Sequence, residues 1–65
     1  MKELDIVKAK KDLSAKVLQG CQGTIVFVYE TPRVAYEVEF FDENRKTLEL
    51  ITVEEADIAL TKEWL

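Results

Sequence analysis

Gly20-Cys21-Gln22-Gly23-Thr24-Ile25-Val26-Phe27-Val28-Tyr29 constrains this chain more than any other stretch, because a glycine-punctuated turn opens there into an unbroken apolar, β-branched and aromatic run. Ala35-Tyr36-Glu37-Val38-Glu39-Phe40-Phe41 answers it with near alternation of apolar and acidic side chains. Two such runs bounded by turn residues predict paired β-strands. The rest of the chain falls into place around them. Asp5 to about Lys10 reads as a first strand with its lysines outward, and Lys11 to Gln22 as a long loop. Thr24 to Glu30 is the second strand, expected to be strongly bent and buried on both faces. Thr31-Pro32-Arg33 is a turn, since proline cannot donate to a central ladder. Val34 to Phe41 is the third strand, with Tyr36, Val38 and Phe40 on one face and Glu37 and Glu39 on the other.

A polar connection, Asp42 to Lys46, leads to a fourth strand from Thr47 to Ile51 or Thr52. Thr52 then looks like the N-cap of an acid-rich helical or 3₁₀ turn. Ile58-Ala59-Leu60 makes a short fifth strand, and Thr61 to Leu65 a tail. The expected fold is all-β and mostly antiparallel: one domain, residues 1–65, forming a small five-stranded SH3-like barrel with one short helical or 3₁₀ turn before the last strand. Its core is expected from Ile6 or Val7, Ile25, Phe27, Tyr36, Val38, Phe40, Leu48, Leu50 and Ile58.

At 65 residues, 48% of them hydrophobic and 34% charged, the chain is globular but short of core. A domain of this size buries only about 60% of its unfolded surface. No apolar run approaches the roughly 18 residues of a membrane span. Met1-Lys2-Glu3-Leu4-Asp5 lacks the apolar stretch of a signal peptide, and the single cysteine rules out an internal disulfide; both point to the cytoplasm. With no histidine and no second cysteine, Cys21 lacks the usual partners of a nucleophile or a zinc site. It reads as an ordinary small residue in the turn before a strand. Glu37 and Glu39 share a strand face and are suited to a hard cation, but the spacing of a calcium loop is absent and a solvated strand face is the better reading. A glycosidase-like carboxylate pair needs a cleft that a barrel this small does not offer. Ser14 has no histidine base. The sequence therefore predicts no catalytic, metal or cofactor site.

Charge separates along the chain. Residues 1–16 carry Lys2, Lys8, Lys10, Lys11 and Lys16 against three acids, a net +2, whereas residues 17–65 carry ten acids against four bases, a net −6. A phosphate-binding surface normally shows the opposite balance. The expected role is thus a protein-interaction module that binds another protein or itself, with no membrane partner. Its candidate contacts are Val17 and Leu18 on the long loop, Tyr29, Arg33 and Trp64. Trp64 reads equally as a partner anchor or as a cap on the open end of the barrel. The rival is a small barrel that binds RNA or DNA through Lys8, Lys10, Lys11 and Lys16, with Arg33 in support and Tyr29 or Tyr36 as stacking surface.

Lys2-Glu3-Leu4-Asp5-Ile6-Val7, Gly20 to Val26, Tyr36 to Phe40 and Thr47 to Val53 resemble a family of short bacterial proteins catalogued as domain-of-unknown-function family 4926. Gly20-x-x-Gly23-Thr24-Ile25-Val26 also looks like the glycine turn of SH3-like and KOW-type barrels. The resemblance implies a stand-alone small barrel, often encoded beside another small protein, with an accessory or antitoxin-like partner role. It brings no activity or catalytic residue. Members typically have an aspartate or similar polar residue where this chain has Cys21, and often a glycine near Val17, so the long loop is where this chain departs from the pattern.

Overall fold

The computed structural model describes residues 1–61. Among the described residues, five antiparallel strands form one sheet in the order β4-β3-β2-β1-β5. They are β1 (Ile6–Ala9), β2 (Gln22–Tyr29), β3 (Ala35–Phe41), β4 (Thr47–Val53) and β5 (Ile58–Thr61), with a single 3₁₀ turn at Glu55–Asp57 before the last strand. The all-β, five-stranded antiparallel expectation is met. β1 pairs with both β2 and β5, so the two halves of the chain meet through its shortest strands.

Val7, Ala9, Val17, Ile25, Tyr36, Val38, Phe40, Val53 and Ile58 form the buried core. In β3 the alternation of the sequence survives intact: Tyr36, Val38 and Phe40 are buried while their neighbours are half-buried. Phe27 and Leu50, both expected in the core, are instead 49% and 55% exposed. The reason is register. Ile25 pairs with Val38, but the next partner of Glu37 is Phe27, so Val26 is an extra residue. That bulge turns Phe27 outward alongside Glu37 and lets Val28 return inward opposite Tyr36. Burial of β2 on both faces is therefore corrected: beyond Ile25 the strand shows Val26, Phe27 and Tyr29 to solvent.

In β4, Leu50 pairs with Glu39 and faces outward with it, while Ile51 and Val53 lie opposite Val38 and Tyr36 and complete the core. A second shift, between Phe40 and Phe41, skips Leu48, which packs against the core's edge.

The long loop is pinned rather than loose. Leu13 N–H donates to Val17 O at 2.8 Å, Val17 N–H to Ser14 Oγ at 3.1 Å, and Gln19 N–H to Asp12 Oδ1 at 2.8 Å. Ser14 Oγ in turn donates to Glu49 Oε1 at 2.6 Å, tying the loop to β4. These bonds drive Val17 into the core at 0% exposure, so it is corrected from partner contact to structural plug.

The turn before β5 is capped by Glu54, not Thr52, which lies within β4. Glu54 N–H donates to Asp57 Oδ2 at 2.9 Å, and Asp57 N–H donates back to Glu54 O at 2.9 Å. Lys11 Nζ sits 3.0 Å from Asp57 Oδ1. The backbone bond from Glu54 and then the Lys11 ammonium hold the Asp57 carboxyl below its ordinary 3.8. A carboxyl depressed in the folded state stabilises above its unfolded pKa, and that contribution disappears as pH falls through the folded value. Asp57→Ala is expected to cost about 1 kcal/mol at neutral pH, the scale of a lost cap. The gap to wild type closes as pH falls below 3.8 in urea titrations run over a pH series.

Candidate functional site

Tyr29 joins two neighbouring surfaces. Bulging at Val26 sets Phe27 and Tyr29 on the same outer face of β2, two residues apart. Their rings meet edge to face with centroids 4.9 Å apart at 66°. Tyr29 Oη donates to Glu37 Oε1 at 3.3 Å, and the negative charge of Glu37 is the main reason the phenol is held above its usual 10.0. Glu37 also accepts from Thr52 Oγ1, and Glu39 accepts from Thr47 Oγ1 at 2.6 Å. Across the three strands the outer face therefore runs Phe27–Glu37–Thr52 in one row and Thr24–Glu39–Leu50 in the next.

At the end of this face, Tyr29 also lines a groove of about 530 Å³. It is lined by Tyr29, Pro32 and Arg33 from the end of β2 and the turn that follows, and by Thr52, Glu54 and Asp57 from the end of β4 and the 3₁₀ turn. The turn between β2 and β3 and the 3₁₀ turn build it from opposite sides of β3. Arg33 Nη1 stands 3.7 Å from Glu54 Oε2, with both side chains largely in water. Such an exposed pair contributes about 0–1 kcal/mol, so Arg33 can leave it for a ligand at little cost.

Two of the residues expected from sequence, Tyr29 and Arg33, are thus brought together. Leu18 is exposed on the long loop but does not line the groove. Val17 is buried, and Trp64 lies outside the described residues. Phe27, Thr52 and Glu54 complete the surface and were not anticipated; the bulge that exposes Phe27 leaves no mark in a continuous apolar run.

A second cavity, about 360 Å³, lies beside Cys21, Phe41, Asp42 and Leu48. Cys21 Sγ donates to Phe41 O at 3.3 Å. Burial, with a smaller contribution from Asp42, pushes the thiol above its usual 9.0 against the opposing effect of that bond. A thiol raised in this way is a poor nucleophile at neutral pH. Among the described residues no group of three or more Cys, Asp or Glu is placed to hold a metal ion. No helix among them is long and apolar enough to cross a membrane.

The lysines read as a nucleic-acid contact, Lys8, Lys10, Lys11 and Lys16, are all exposed, and Lys11 is also paired with Asp57. A family model described as Domain of unknown function (DUF4926) matches residues 3–60, spanning every strand but the last residue of β5. No curated protein and no solved structure matches the chain.

Proposed function

The chain belongs to the DUF4926 family, and from that premise we propose that it is a non-enzymatic protein-interaction module, an accessory or antitoxin-like partner of a neighbouring gene's product in the bacterial cytoplasm. The strand order and the 3₁₀ turn before β5 support reading the fold as an SH3-like barrel. One observation carries the functional reading: the exposed aromatic pair Phe27–Tyr29 runs into a groove walled by Pro32 and Arg33. A chain this short has few large apolar side chains to spare from its core. Leaving Phe27, Tyr29 and Leu50 on one side of the sheet is the pattern of a docking surface rather than of a surface made only for solubility. Tyrosine and arginine are also the residue types that most often anchor protein contacts.

Titration against generic RNA and DNA at low and physiological salt, beside light scattering with the neighbouring gene's product, tests the reading. A protein complex that tolerates salt is expected, because apolar contacts depend on salt weakly and phosphate contacts steeply. Submicromolar nucleic-acid binding at physiological salt, abolished by Lys8→Glu with Lys10→Glu, would make the nucleic-acid reading correct.

A further inference from the structure

We propose that the outer face of β2–β3–β4 docks an extended segment of another protein that carries arginine or lysine at alternate positions. The inference rests on the interaction reading above and names the chemistry of the partner.

Charge complementarity selects the occupant. β2, β3 and β4 together hold three glutamates and no lysine or arginine. Glu49 is turned to Ser14 of the long loop. Glu37 and Glu39 remain on the outer face, where they accept from the neutral hydroxyls of Thr52, Tyr29 and Thr47. Apolar groups flank them alternately, Phe27 beside Glu37 on β2 and Leu50 beside Glu39 on β4. Carboxylates two residues apart on a strand stand about 7 Å from one another, the spacing of alternate side chains in an extended partner. A guanidinium laid over the Phe27 ring gains the cation–π attraction while its N–H groups reach Glu37. The hydroxyls that already hold these carboxylates fix them in place for that pairing.

The same arrangement disfavours the other occupants. A single-stranded nucleic acid needs aromatic platforms beside positive charge, and here carboxylates stand between the stacking surface and any phosphate. A two-fold pairing of this face with a second copy would set Glu37 and Glu39 against their own counterparts.

The test uses the full chain, ¹⁵N-labelled, titrated with a synthetic peptide of alternating arginine and valine. A glutamate-for-arginine peptide and a single-stranded DNA serve as controls. Saturable shifts are expected at the amides of Phe27, Glu37, Glu39 and Leu50, with the arginine peptide alone. Phe27→Ala, and Glu37→Gln with Glu39→Gln, each weaken binding by about tenfold or more, the scale of one lost charge-assisted contact. All three positions face outward, so spectra away from the face stay unchanged. Shifts that map to the Arg33–Glu54 groove, unchanged affinity in the Glu37→Gln/Glu39→Gln variant, or no saturation overturn the inference and leave the interaction reading standing. A dimer dispersed by Phe27→Ala overturns it in favour of self-association. DNA that saturates the same amides overturns both.

Discussion

Gly23→Val is expected to leave the chain unfolded at room temperature. Gly23 lies where three strands meet, opposite Val7 on β1 and Phe40 on β3. A Cβ there would stand 2.7 Å from Val38 Cγ1, 2.8 Å from the backbone oxygen of Glu39 and 3.0 Å from Phe40 Cδ1. Val38 and Phe40 are fully buried, and a backbone oxygen within a ladder cannot step aside. Overpacking of this kind costs typically about 1–3 kcal/mol, occasionally more, and valine brings two further methyl groups to the same point. A domain of this length has about 3–10 kcal/mol in total. Gly23→Ala should therefore stay folded with a sharply lowered urea midpoint, while Gly23→Val shows no cooperative transition by circular dichroism. Gly20 is the internal control. It has φ +91° with nothing within 4 Å of an added Cβ, so Gly20→Ala costs only the left-handed backbone strain, about 1–2 kcal/mol. Equal urea midpoints for Gly23→Val and wild type would contradict this packing.

The second large effect separates two phenylalanines that the sequence pattern treats alike. Phe40 is 0% exposed at the centre of the core. Phe40→Ala should cost about 3–5 kcal/mol, the usual range for a buried ring, and leave the protein near the edge of folding. Phe27→Ala should cost less than about 1 kcal/mol, since Phe27 loses mainly its edge contact with Tyr29. Denaturant titration of both variants reads the register of β2 directly. If Phe27→Ala proves as damaging as Phe40→Ala, the bulge at Val26 is not there.

That contrast marks where the sequence stopped being legible. β3 could be read residue by residue, because Tyr36, Val38 and Phe40 alternate with glutamates and a single phase satisfies them. β2 offers no polar residue between Ile25 and Tyr29, so nothing in the run announces that Val26 is the inserted one. In β4, Leu48, Leu50 and Ile51 fit either face equally well, and the choice is made by pairing with β3, a property of two strands together. Val17 departs from its expected place for a different reason. A long, largely polar loop looks solvent-exposed unless its internal bonds are known, and here Ser14 and Leu13 fold the loop over so that Val17 points inward. The candidate surface was half legible. Tyr29 and Arg33 stand out by residue type, but their meeting across a groove with Glu54 depends on the turn before β5 coming back to the β2–β3 turn. The charge separation along the chain was legible outright, and it bears most directly on the choice of partner.

The central claim is that this protein acts by docking another protein at the surface organised around Tyr29. Calorimetric titration of the neighbouring gene's product into the wild-type protein and into Tyr29→Ala tests it most directly. Tyr29 belongs to both the outer sheet face and the groove, and it is exposed enough for the variant to fold. The account predicts saturable heat with the wild type and an affinity loss of about tenfold or more in the variant, the range of an aromatic anchor. Equal affinity of the two proteins, or no binding by the wild type, would contradict it.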